Sequence, residues 1–195
     1  DWQDIALSGS IGGIPFSHPL IINAITGGAE DVTKINEHLA ELAARTDTIM
    51  AVGSQYAAIE NPETCNSFKI VRKKNPNGII LANLGAHVKP QQAVQAVDML
   101  NAQGLQIHLN VAQELIMKEG DRQFKGYLEN IAQIVKQLKV PVIVKEVGCG
   151  IAMDQALKIA QTGVKAIDIG GAGGTNFLAI EAARKAIRSP LLEID

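Results

Sequence analysis

A chain of 195 residues, 47% hydrophobic and 19% charged, has the apolar content to fill a core and the length of one domain. Its 18 Lys and Arg against 20 Asp and Glu leave a net charge of −2, which excludes a general basic surface for nucleic acid or anionic membrane. Two cysteines, Cys65 and Cys149, exclude a disulfide scaffold; no apolar run reaches bilayer-spanning length and no signal peptide opens the chain, so a cytoplasmic setting is expected.

The first β-branched run, residues 19–25, leads into Asn23-Ala24-Ile25-Thr26-Gly27-Gly28. Two glycines let backbone N–H groups approach a ligand and Thr26 adds a hydroxyl, although a plain strand-to-helix turn accounts for the same residues. Val32, Ile35, Leu39 and Leu42 then recur at helical spacing. The second run, 48–52, closes on Gly53-Ser54-Gln55, and the third, 78–82, on Asn83-Leu84-Gly85; both put hydrogen-bonding side chains at a strand end. Val94, Val97 and Leu100 form another helical stripe, with Gly104 placed as its cap.

In the fourth run, 105–109, alternation puts Gln106, His108 and Asn110 on one face and Ile107 and Leu109 on the other. The apolar pair suits a helix layer, so the polar set points inward. Gln113 and Glu114 follow closely; Glu114 reads as an oxygen ligand for a hard cation such as Mg²⁺ or as a solvated loop residue. Glu119-Gly120-Asp121-Arg122 either orders that loop or forms its charged surface. Phe124, Leu128, Ile131, Val135 and Leu138 mark the next helix.

The fifth run, 140–147, holds Lys145 within an apolar strand, where burial is expensive without a partner. Lys145 therefore either faces an anion or snorkels to water. Cys149 has no base or zinc-ligand spacing beside it and reads as structural. Gly163 closes a helix begun near Met153. The sixth run, 165–169, leads into Gly170-Gly171-Ala172-Gly173-Gly174-Thr175, a loop entering a helix whose N–H groups and dipole favour phosphate. Its glycines lie too close together for the dinucleotide fingerprint. Cys65 reads as a helix residue, and His18, His38 and His87 as surface or turn residues. Residues 182–195 break the rhythm: Ser189-Pro190 interrupts the helix and no seventh strand follows.

Strand and helix alternate, which specifies an α/β fold with a parallel sheet. About six βα units fit either an open doubly wound sheet or a TIM (β/α)8 barrel lacking its last strands. Polar residues at the C-terminal end of every strand favour the barrel, where those ends converge on one mouth. The expected organisation is one barrel domain over residues 1–195, incomplete at both ends and drawn from a longer protein.

Together these stretches resemble type 2 isopentenyl-diphosphate isomerase, which uses FMN. The resemblance rests on Ile22-Asn23-Ala24-Ile25-Thr26-Gly27-Gly28, Ala51-Val52-Gly53-Ser54-Gln55, Asn75-Pro76-Asn77-Gly78, Ala82-Asn83-Leu84-Gly85, Leu105-Gln106-Ile107-His108-Leu109-Asn110 with Gln113-Glu114, Val144-Lys145-Glu146-Val147-Gly148 and Gly173-Gly174-Thr175-Asn176-Phe177. It implies a (β/α)8 barrel with FMN at its C-terminal mouth, interconverting isopentenyl and dimethylallyl diphosphate with reduced flavin, Mg²⁺ and NADPH as reductant. By position it implies that Ala24, Ile25, Thr26, Ser54, Asn83, Lys145, Gly170 and Thr175 touch FMN. Ser54, Gln55, Tyr56 and Gln113 would lie near substrate, and Glu114 would hold Mg²⁺. Lys145, His108, Asn110 and Gln113 would form the catalytic wall, with Lys145 countering charge on the reduced ring. A homotetramer or homo-octamer is implied, with no nucleic-acid or membrane partner. The chain departs from the family pattern at Lys118, where proline is usual, and after Ile180-Glu181; the basic N-terminal segment and the last two strands are absent. The rival on the same barrel is an FMN-dependent 2-hydroxy-acid dehydrogenase or oxidase, and a non-catalytic flavin- or phosphate-binding barrel is a further alternative.

Overall fold

A computed structural model describes residues 2–187. A short 3-10 turn at Trp2–Asp4 precedes an antiparallel hairpin, β1 (Gly9–Ile11) and β2 (Ile14–Phe16), which the sequence reading did not anticipate. Its turn is Gly12-Gly13, with φ of 59° and 87°, the left-handed conformation that two-residue hairpin turns need. Each strand is only three residues long, too short to show alternation.

Strands and helices then alternate: β3 (Ile21–Ile22), α1 (Thr33–Thr46), β4 (Ile49–Ala51), α2 (Tyr56–Glu60), α3 (Asn66–Lys74), β5 (Ile80–Gly85), α4 (Pro90–Leu100) and β6 (Gly104–Leu109). They continue as α5 (Val111–Ile116), α6 (Tyr127–Gln137), β7 (Val142–Glu146), α7 (Met153–Ala160), β8 (Ala166–Asp168) and α8 (Phe177–Ile187). β3 to β8 form one six-stranded sheet in sequence order, each neighbouring pair parallel. A doubly wound sheet reverses its order at a switch point; this one does not. The sheet also curls. Asn23 follows the first strand of this sheet and Asp168 ends the last, yet Asn23 Nδ2 donates to Asp168 Oδ2 over 2.9 Å. In a flat sheet those strands would stand five spacings, about 24 Å, apart. The fold is a partial TIM barrel.

Alternation along each strand sorts two cores. Ala82, Leu84, Leu105, Ile107, Val142 and Val144 face outward and join Phe68, Val71, Ala96, Leu100, Ile131 and Ile134 from the helices. Ile49, Ala51, Leu81 and Ile143 make a smaller inner cluster, closed by Ile14 of the hairpin. An added Cβ on Gly104 would lie 2.9 Å from Ile14 Cδ1. Gly104 thus opens β6 and makes room for Ile14 rather than capping α4. The cap is Asn101, in the left-handed region at φ 47°, whose N–H bonds back to Val97 and Asp98 carbonyls.

Two helical stripes also differ from expectation. Ile35 and Leu42 are 47% and 48% exposed, and α1 instead buries Asn36, Ala40 and Ala43. Small residues let α1 lie close to α3, and Asn36 is held there by donating to the Ser67 carbonyl over 2.7 Å. Phe124 precedes α6 and meets Tyr127 edge-on at 5.8 Å, while Ile131 and Ile134 carry the buried face. Gly163, at φ 88°, lies beyond the end of α7. Of the tail, residues 182–187 continue α8; Ser189-Pro190 lies outside the described residues. Among the described residues no helix is long and apolar enough to cross a membrane.

Candidate functional site at the C-terminal mouth

Inward positions change character along each central strand. Leu81 gives way to Asn83 on β5 and Ile143 to Lys145 on β7, so the inside is apolar at the hairpin end and polar at the other. Parallel pairing then sets the polar residues side by side, Asn83 against Gln106, Gly85 against His108, and His108 against Lys145 against Asp168. A cavity of about 390 Å³ opens over them, within the range of small-ligand sites. Ala24, Ile25, Ser54, Asn83, His108, Asn110, Gln113, Lys145, Gly170 and Thr175, all singled out from sequence, line it together.

Lys145 is 6% exposed. Its ammonium has three donors, and one goes to the Glu146 carbonyl at 2.9 Å; no other partner is found for Nζ among the described residues. Burial pulls its pKa below the ordinary lysine value, opposed by the carboxylates of Asp168 and Glu146. His108 is driven the same way, to about 4, by burial first and then by the charges of Lys145 and His87. At neutral pH the cavity therefore presents a neutral imidazole beside the buried Lys145 amine.

Gly170-Gly171-Ala172-Gly173-Gly174-Thr175 runs into α8 as expected. Gly170 is needed for shape: at φ 50° it presses on the Glu146 backbone, leaving no room for a Cβ. An added Cβ at Gly171, Gly173 or Gly174 would meet nothing within 4 Å, so the backbone there is open. Gly27 and Gly28 serve packing instead, Gly27 against the Phe68 ring and Gly28 against Ala57.

Four proposed site residues stand away from the cavity lining. The Thr26 hydroxyl donates to Asn36 Oδ1 at 2.5 Å. Gln55 is fully buried; its Oε1 accepts from the Asn83 N–H and its Nε2 donates to the Ala96 carbonyl, so it fastens β5 to α4. Tyr56 sits edge-on to His87 at 4.9 Å. Past Gly53 the strand period ends, so side-chain direction was not readable at Gln55 and Tyr56. Glu114 has both oxygens engaged: Oε1 accepts from Asn110 Nδ2 and Oε2 from the Asp121 N–H, each over 2.7 Å. The charged loop orders itself around it, Arg122 donating to the carbonyls of Glu114, Met117 and Gly120. No group of three or more His, Cys, Asp and Glu poised for a metal exists among the described residues.

Gln106 faces inward as its strand position predicts, whereas Asn23, Asp168 and Glu146 stood in the sequence only as parts of runs. Asn23, Gln106 and Asp168 tie the inner wall together, and Glu146 Oε2 accepts from three successive N–H groups, Gly148, Cys149 and Gly150. Cys149 is exposed on that loop, not packed in a core. A second cavity, about 420 Å³, lies at the opposite end among residues 15–17, 43–44, 47–49 and 75–79, with no Lys, Arg or His among the described residues that line it.

No protein-family model matches the chain. Over 185 residues, 95% of the chain, it is 54% identical to the isopentenyl-diphosphate delta-isomerase of Moorella thermoacetica, covering 54% of that protein. It is 50% identical over 187 residues to the protein of the same name from Symbiobacterium thermophilum, covering 96% of the chain and 52% of that protein. Among solved structures it is similar to a lactate oxidase from Pediococcus acidilactici, with a TM-score of 0.61 and 16% identity over 83% of the chain and 49% of that one. It is also similar to a mandelate oxidase variant with a C4a-OH-FMN adduct, with a TM-score of 0.56 and 13% identity over 96% of the chain and 61% of that one. Those two likenesses speak to the barrel alone. The chain is a relative of the proteins named isopentenyl-diphosphate delta-isomerase and spans about half the length of those it matches.

Proposed function

We propose that this chain carries the flavin-facing half of an isopentenyl-diphosphate isomerase barrel, interconverting isopentenyl and dimethylallyl diphosphate with reduced FMN and Mg²⁺. The observation that carries this reading is the 54% identity to a protein of that name over 95% of the chain. The 2-hydroxy-acid oxidase alternative has only a shared barrel at 16% identity behind it. A passive binder has no need of a buried ammonium with free donors.

The mouth suits a flavin. It offers bare backbone at Gly53, Gly148 and Gly171 for a flat ring, amide and hydroxyl side chains around it, and a single Lys on its wall. The open backbone at Gly171, Gly173 and Gly174 ahead of α8 suits an anionic tail. Reduced FMN, kept so by NADPH, would supply a ring able to move protons on and off the allylic carbons. The remaining work belongs to the chain. Lys145 counters negative charge on the bound ring. Ala24, Ile25, Asn83, Gly170 and Thr175 hold the cofactor, and Ser54 borders both cofactor and substrate. Gln113 faces the substrate from α5, with Nε2 directed to Glu181 over 3.5 Å. His108 and Asn110 form the wall between, Asn110 also steadying the Glu114 carboxylate. A lone carboxylate fits Mg²⁺ that arrives with a diphosphate supplying further oxygens. On the same resemblance we place the protein in the cytoplasm as a tetramer or octamer.

The test is direct. The protein should gain flavin absorbance on addition of FMN and convert isopentenyl diphosphate only with flavin, reductant and Mg²⁺ all present. Turnover without flavin would remove the proposal, and oxidation of lactate-like acids would favour the rival.

A further inference from the structure

The inner wall carries a continuous hydrogen-bond relay that links β8 to the end of β3 and on to β6 and β5. Asn23 Nδ2 donates to Asp168 Oδ2 at 2.9 Å. Gln106 Nε2 donates to Asn23 Oδ1 at 3.0 Å, and Asn83 Nδ2 donates to Gln106 Oε1 at 3.2 Å. Asn83 Oδ1 then meets His108 Nδ1 at 2.9 Å. Asn83 and Gln106 are each 2% exposed, so water does not substitute for these partners.

Which end of each amide is oxygen follows from chemistry. The Ala24 backbone N–H, which only donates, lies 2.9 Å from Asn23 Oδ1. The Asp168 carboxylate lies on the other side of the same side chain; its second oxygen accepts from the Gly170 N–H at 3.0 Å. A donor on one side and an acceptor on the other allow Asn23 a single orientation. Gln106 must then offer nitrogen to Asn23 and oxygen to Asn83, and Asn83 must offer oxygen to His108. The final contact is a hydrogen bond only if His108 Nδ1 carries the proton.

We propose that the Asp168–Asn23–Gln106–Asn83 relay fixes His108 as its Nδ1–H tautomer, leaving Nε2 as a hydrogen-bond acceptor toward the cavity. No partner is found for Nε2 among the described residues, and it is not sealed within protein. It lies over Gly85, 3.3 Å from where a Cβ would stand, so a side chain there would crowd it. The depressed pKa keeps the ring neutral, with burial its largest cause and Lys145 on the neighbouring strand adding to it. The ligand class follows. His108 takes a hydrogen bond from a hydroxyl, an N–H or a water, and has no proton at Nε2 to offer a phosphate oxygen. Asp168 and Gln106 act through His108 as positioning residues.

The test uses ¹⁵N-histidine protein at neutral pH with His18, His38 and His87 replaced by Gln, so that His108 alone reports. A pyrrole-type resonance at Nδ1 and a pyridine-type resonance at Nε2 are expected, with or without FMN. The reverse pattern, or an imidazolium, overturns the proposal whatever the protein's activity. Gln106→Leu cuts the relay and frees Asn83 to turn; both tautomers should then appear. A single unchanged tautomer in Gln106→Leu would show that the relay is not the cause. The unsubstituted relay decides the first question even if that variant does not fold.

Discussion

Two cations sit at opposite ends of the barrel segment and are treated differently. At the hairpin end Arg72 is surrounded by acceptors: Nε donates to Leu100, Nη1 to the carbonyls of Asn75, Pro76 and Gly78, and Nη2 to Asn101 and to Gln103 Oε1. Those oxygens end α3 and α4 and lead into β5 and β6, so one guanidinium ties two turns together. At the mouth, Lys145 uses one donor on its own strand and keeps the rest turned to an open cavity. A cation whose hydrogen bonds are complete serves stability. A buried cation whose hydrogen bonds are incomplete is held ready for something that arrives.

Arg72→Ala should separate the two ends most strongly. It strands several carbonyls and should lower stability by roughly 4 kcal/mol, read from urea unfolding, with no change in flavin affinity per folded molecule. Lys145→Ala should do the opposite, lowering flavin affinity or turnover by about 100-fold while the urea midpoint stays or rises. An unaltered Lys145→Ala enzyme would end that residue's role.

The pH response refines the contrast. His108 has a folded pKa near 4 against an ordinary 6.5, so the unfolded chain takes up the proton first. Stability should fall as pH drops from 6.5 through 4, and His108→Gln should remove on the order of 2 kcal/mol of that slope. Equal slopes in the two proteins would refute the assignment. The smallest effect is expected at Glu114→Gln, which should raise the Mg²⁺ needed for half-maximal turnover by about tenfold and leave FMN binding alone.

The inner wall was legible because a strand repeats every two residues. That period alone put Gln106, His108 and Asn110 on one face, and the expense of a lysine in an apolar strand singled out Lys145. Legibility stopped where the period stopped. Gln55 and Thr26 lie just past strand ends, and their polar groups turned toward a helix whose position no local pattern gives. The burial of Asn36 had no local signal, because its partner, the Ser67 carbonyl, is 31 residues away. Arg72 had no signal: its acceptors are backbone oxygens, which every sequence possesses. Asp168 was visible as a strand residue, but its pairing with Asn23 spans 145 positions and exists only because the sheet rolls up.

That rolling has its own consequence. The two ends of the arc already meet through Asn23 and Asp168, so these strands hold their polar side chains at a fixed spacing. A ligand entering meets its contacts at a spacing set in advance, and ordering the wall is not charged against its affinity.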